Sequence, residues 1–260
     1  MANPMFGQEK FNALVDEAAK NLKQEYNFGT LPVIVDAEHT ENQVPDGTAG
    51  NKVKHLYADG LDLTACYIGT QTIDNPQANT SGIDYSYDQT NNEGVAWVMG
   101  DEAVKGREGI DRFTVGSQAF SASLKLSIAD VSGTDDCAFG FRKVEAHQAA
   151  IDDFDEMACL NVISGNVTIE TILNNGATTS TDTTSDVADA GVVTLKVNVA
   201  KTGAVTYEID GQAPSTTAAF SFDIGEVVTP FFYFLHASDV AGAIVLQKLV
   251  VESDEGSKEQ

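Results

Sequence analysis

Apolar and polar positions alternate with a period of two through much of the second half of the chain. Phe120, Ala122, Leu124, Leu126 and Ile128 alternate with Ser121, Ser123, Lys125 and Ser127, and Val193, Leu195, Val197 and Val199 alternate with Thr194, Lys196 and Asn198. Side chains on a strand point to opposite faces in turn, so these segments predict strands with one buried face. Turn signals separate further strands. Lys201-Thr202-Gly203 leads into Val205, Tyr207 and Ile209. Ile163-Ser164-Gly165-Asn166 joins Met157–Val162 to Val167–Leu173, and Asp210-Gly211 closes another turn. Thr229–His236 and Ala243–Glu252 read as the last two strands. Phe231, Phe232, Tyr233 and Phe234 run together, so large aromatics point to both faces and both need cover. Asn174–Gly191, rich in Thr, Ser and Asp, reads as a loop. With no helical window between 82 and 252, about ten to twelve short strands predict an all-β, jelly-roll-type antiparallel sandwich.

The beginning of the chain has another pattern. In residues 4–28, Phe11, Leu14, Val15, Ala18, Leu22 and Tyr26 recur at helical spacing, after an Asn3 cap and Pro4 at the first helical position. This predicts an amphipathic helix, packed on its own domain or serving as a docking arm, with Gly29 and Pro32 ending it. Residues 31–81 carry Pro32, Pro45 and Pro76 and short apolar pieces such as Val33-Ile34-Val35. They read either as an extended arm or as short strands that the pattern cannot place. The expected organisation is a helix over 1–30, an arm over 31–81, a sandwich over 82–252 and an acidic tail over 253–260.

Charge narrows the function. Fifteen Lys and Arg face thirty-nine Asp and Glu, giving a formal net charge of −24. Nucleic-acid binding needs a basic footprint, and an anionic membrane surface would repel this chain. The first ten residues lack the basic and apolar regions of a secretory signal. Cys66, Cys137 and Cys159 are widely spaced and predict small core residues, not a disulfide framework or a zinc site. No cofactor motif appears: the Gly100–Gly109 stretch lacks the phosphate-loop pattern.

A resemblance is carried by Phe120–Asp130, by Cys137-Ala138-Phe139-Gly140-Phe141-Arg142, by Gly191–Val199 leading to Val205–Gly211, and by Pro230–Phe234. Residues 82–252 resemble a concanavalin A-like, laminin G-like sandwich, as found in virion structural proteins of tailed phages, particularly marine ones. The resemblance implies a non-enzymatic virion protein: a capsid decoration protein, or a sugar-binding adhesin module of a head or tail fibre.

Glucanases of that superfamily pair carboxylates two apart on a strand, but after Glu208-Ile209-Asp210 the next acid position is Gln212, and Asp210-Gly211 reads equally as a turn. Asp152-Asp153-Phe154-Asp155-Glu156 is oxygen-rich but lacks calcium-loop spacing, and reads as a solvated acidic loop. No Gly-x-Ser-x-Gly nucleophile motif occurs, and His236 reads as structural. No metal ligand set and no catalytic residue is expected. The expected partners are the major capsid protein and further copies of the chain, with surface glycans under the adhesin reading. Anchoring falls to Phe11, Leu14, Val15, Ala18 and Leu22, and sugar stacking to Tyr85, Tyr87 and Trp97. The expected location is the capsid surface of the virion.

Overall fold

Alternation between two apolar faces shapes the fold seen in a computed structural model. It describes residues 21–28, 34–35, 39–40, 52–58, 61–68, 77–79, 81–84, 93–98, 112–145, 148, 150–237 and 244–254. The strands begin with β1 (Asn21–Asn27), β2 (Ile34–Val35), β3 (His39–Thr40), β4 (Lys52–Ala58), β5 (Leu61–Ile68) and β6 (Gln77–Asn79). Next come β7 (Gly82–Asp84), β8 (Gly94–Val98), β9 (Phe113–Thr114), β10 (Ala119–Ile128), β11 (Thr134–Lys143) and β12 (Met157–Ile163). The chain continues with β13 (Asn166–Ile172), β14 (Thr179–Asp186), β15 (Val192–Val199), β16 (Val205–Ile209), β17 (Val227–His236) and β18 (Ile244–Asp254).

One sheet runs β16-β15-β10-β18-β7-β6, with β1 also paired to β18; the other runs β14-β13-β12-β11-β17-β8-β5-β4-β2, with β3 on β4 and β9 on β17. Every pairing between these strands is antiparallel. The two sheets pack as a sandwich of the jelly-roll, concanavalin A-like kind.

The inward faces meet in one core. Phe120, Ala122, Leu124 and Leu126 of β10 and Leu195 and Val197 of β15 join Phe139, Phe141, Leu160, Ile169, Phe232 and Phe234 of the larger sheet. Phe113 stacks on Phe120 at 4.6 Å between centroids, and Phe120 meets Phe141 edge-on at 5.0 Å. Aromatic pairs of this geometry add to the area that they bury.

The larger sheet is covered on its outer face too, as the four-residue aromatic run requires. Phe231 and Tyr233 point away from the sandwich core into a second cluster with Ile151, Phe154, Met157, Cys159 and Ile172. Ile151 and Phe154 come from the connection between β11 and β12, which folds back over the sheet through a 3-10 turn at Ile151–Asp153. Arg142 lies buried there, its guanidinium 4.8 Å from the Phe154 ring centroid and donating to the Lys143 carbonyl oxygen at 3.1 Å. Burying its stem under an aromatic ring keeps the charge satisfied.

Two expectations are corrected. Residues 21–27, the end of the expected helix, form a strand whose partners run from Asp254 opposite Asn21 to Lys248 opposite Asn27. Tyr26 and Phe28 are buried while Glu25 and Asn27 are exposed, a period of two that only the sheet partner selects. Leu22, named as a helix anchor, stands in this strand opposite Ser253. Phe11, Leu14, Val15 and Ala18 lie outside the described residues. The expected loop Asn174–Gly191 contains β14, whose partner is β13. β14 is an edge strand in which only Thr183 is buried, so its sequence carries no apolar alternation. Within 31–81, the short-strand alternative holds for β4 and β5, which pair with each other and extend the larger sheet from β8.

Candidate binding groove

A groove of about 590 Å³ lies at one end of the smaller sheet, where β10 begins, β15 and β18 end and β16 starts. It follows from the strand register. Ser121 sits opposite Glu252 on one side and Asn198 on the other, and Asn198 sits opposite Thr206. Because Phe120 and Ala122 face the core, Ser121 and its partners form an outward row across four strands. At about 4.8 Å between strands the row is roughly 14 Å long. Ala119, Ala200 and Ala204 supply small walls, and Ser253 and Asp254 finish one end.

The groove floor is held by a polar network. Asn198 Nδ2 donates to Glu208 Oε1 at 2.9 Å. Lys196 Nζ lies 4.0 Å from Glu208 Oε1 and 3.9 Å from Glu252 Oε2, one ammonium between two carboxylates. These groups are partly exposed, so the ion pairs add little stability; what they provide is a fixed direction for each side chain. Hydroxyl, amide and carboxylate groups standing in a row over small residues suit a flat, polyhydroxylated ligand.

Glu208 and Asp210 are not a reactive pair. Asp210 (φ 51°) and Gly211 (φ 77°) form the turn closed between Ile209 and Gln212, and Asp210 Oδ1 accepts the Thr194 N–H at 2.8 Å. Trp97, a candidate for sugar stacking, is a core residue: its ring lies 5.9 Å from Phe28 and 5.1 Å from Phe232, with 1% of its surface exposed. Tyr85 and Tyr87 lie outside the described residues. His236 is buried edge-on against Phe234, as the structural reading requires. Cys137 and Cys159 are buried free thiols on adjacent strands, pushed up in pKa by burial and therefore unreactive.

The acidic run at 152–156 divides between two places. Asp152 belongs with Asp136, whose carboxyl pKa is raised first by burial and then by Glu170, Asp135 and Asp152. Asn161 binds this group together: its Nδ2 donates to Asp136 Oδ1 at 2.6 Å and to Glu170 Oε2 at 3.0 Å, while its Oδ1 accepts the Cys137 N–H at 2.9 Å. Burial pushes Asp136 up to about 6. Among the described residues no group of three or more His, Cys, Asp or Glu could hold a metal ion.

The sign of this shift sets a test. The folded-state value lies above the unfolded one, so folding takes up a proton between about pH 4 and pH 6. The contribution is full below the unfolded value and is lost as pH rises through about 6. Asp136→Asn keeps an acceptor for Asn161 and removes the charge. It is expected to stabilise the fold by about 1 kcal/mol at about pH 8 and by nothing near pH 4, measured by urea unfolding.

Comparison with known proteins finds the fold alone. No family model matches the chain, and no curated protein matches it by sequence. Solved structures are similar in shape at low identity. A Trypanosoma rangeli sialidase matches with a TM-score of 0.48 and 11% identity over 76% of this chain, which spans only 28% of that enzyme. The carbohydrate recognition domain of Emp47p matches with a TM-score of 0.48 and 10% identity, over 87% of this chain and 93% of that one. The CBM2 module of the evolved Dit of Lactobacillus casei BL23 phage J-1 matches with a TM-score of 0.45 and 9% identity, over 92% and 99%.

Proposed function

We propose that the chain is a non-catalytic carbohydrate-binding module, carried on a head or tail fibre of a phage virion. The observation that carries the reading is the in-register row Glu252–Ser121–Asn198–Thr206 facing the groove. Sugar hydroxyls both donate and accept, and this row offers both functions along one line. Glu252 and Asp254 set the class of sugar: they repel sialylated and uronate-bearing glycans and leave neutral glycans as ligands. Affinity at one such site is modest, and repetition of the module in a homo-oligomer supplies avidity.

The capsid-decoration reading places the anchor on one face of an N-terminal helix. With Leu22 in β1, that face loses its last member, and no described feature favours this reading over the groove.

A glycan array with the purified protein tests the proposal. Neutral glycans are expected to bind and sialylated ones to fail. Asn198→Ala and Thr206→Ala are each expected to weaken binding about tenfold, the size of a lost hydrogen bond to a bound group. Binding that ignores both substitutions overturns the groove assignment. Copy number per virion tests the location separately: stoichiometry matching the major capsid protein would favour decoration instead.

A further inference from the structure

The other half of the acidic run, Asp155 and Glu156, enters a second pocket. It measures about 210 Å³ and lies where β11 ends and β12 begins, lined by Lys143, Asp155, Glu156, Asn174 and Asn175. Glu156 is 1% exposed, and its Oε1 is buried with no hydrogen-bond partner. The Asp223 N–H bonds its carboxylate, and Asn174 Nδ2 donates to Asp223 Oδ2 at 3.3 Å, which draws the 223–226 turn onto the same place. Glu226 reaches the pocket's lysine, 3.3 Å from Lys143 Nζ, with Asp155 4.0 Å from that same ammonium. The carboxylates of Asp155, Glu156 and Glu226 therefore all act on the one Lys143 ammonium, and Asp223 lies against Glu156. A fifth, Glu145, accepts the Asp155 N–H at 2.9 Å.

Buried carboxylates without cations are costly, and an orphan oxygen adds to the cost. The surroundings carry a second signal. Four large hydrophobic side chains are exposed among the described residues, and three of them, Leu173, Ile224 and Val227, adjoin Asn174, Asp223 and Glu226 in the chain. An acidic pocket with apolar neighbours is complementary to a long aliphatic stem that ends in a cation.

We propose that this pocket receives the side-chain cation of a lysine or arginine from a partner protein, whose flanking apolar residues cover Leu173, Ile224 and Val227. The site is separate from the sugar groove and does not depend on it. The incoming cation takes the place that Lys143 fills only in part, and it gives Glu156 Oε1 a donor. Burial, Glu226 and Asp223 push Glu156 up to about 7 against the pull of Lys143. Binding therefore expels a proton and strengthens as pH rises through that value.

Three acetylated tripeptide amides serve as probes against the full chain: leucine–lysine–leucine, its arginine counterpart and its norleucine counterpart. Carbon-13 NMR of the labelled Glu and Asp carboxyls reads occupancy. The lysine and arginine peptides are expected to shift Glu156 saturably, more tightly at about pH 8 than at about pH 6. Glu156→Gln is expected to weaken them about tenfold. Ile224→Ser, at an exposed position, is expected to weaken them severalfold with unfolding unchanged, so loss of binding cannot be mistaken for loss of fold. Equal binding of the norleucine peptide, no saturable shift with any cationic peptide, or indifference to both substitutions overturns the proposal. So does calcium chloride that moves the same resonances and displaces the peptides, since that would make the pocket a metal site.

Discussion

Gly140→Ala is expected to destabilise the protein by about 3 kcal/mol or more, at the upper end of what overpacking costs. Gly140 lies mid-way along β11, paired with Cys159 of β12 on one side and Phe231 of β17 on the other. A Cβ at this position would collide with the Ala158 carbonyl oxygen and stand 2.6 Å from Cys159 Cα and 2.8 Å from its Cβ. Backbone on a neighbouring strand cannot swing aside as a long side chain can. The methyl group must push β12 away from β11, and the pairs from Ala138–Asn161 to Arg142–Met157 would stretch with it. The Asp136–Asn161–Glu170 network spans the same strands and would lose its geometry. Urea unfolding should show a lower midpoint with an unchanged slope. Gly211→Asn is the control: nothing lies within 4 Å of a Cβ there, and Asn tolerates the positive φ of 77°. That variant is expected to unfold with the wild type. If Gly140→Ala does so too, β11 and β12 do not approach this closely.

How much of this was legible beforehand depends on the range of the cause. β10 and β15 were legible because one face of each is buried and the period of two sits in the chain itself. The aromatic run at 231–234 announced a sheet covered on both faces, and the Ile151–Phe154 turn supplies the second cover. β14 was not legible, because an edge strand with one buried residue writes no pattern. The groove was missed for a related reason. Ser121, Asn198, Thr206 and Glu252 each occupy an ordinary outward position, and only the register of four strands sets them in a row. Asp136, Asn161 and Glu170 likewise meet across adjacent strands, and Glu156 finds Asp223 from far along the chain. A signal that could have been used is the exposed apolar Ile224 beside two acids, out of place in a solvated turn.

Phe28→Ala is the second large effect, expected at about 3–5 kcal/mol, or a fall in Tm on the order of 10 °C. Helical spacing and strand alternation coincide at Leu22 and Tyr26, so the pattern alone could not place this segment; its partner could. β18 offers an unpaired edge over Lys248–Asp254, and pairing there satisfies the backbone groups of β1 as a lone helix end would not. Past the strand, the Phe28 N–H donates to the Gln247 carbonyl oxygen at 3.0 Å, and the ring is 1% exposed, edge-on to Trp97. Cutting the ring away would leave a void between β1 and the indole that a rigid sandwich cannot close. Deleting residues 1–28, and β1 with them, is expected to lower the urea midpoint by at least as much as Phe28→Ala. An unchanged midpoint would show that β1 contributes nothing to the sandwich, and would return the segment to the role of a docking arm.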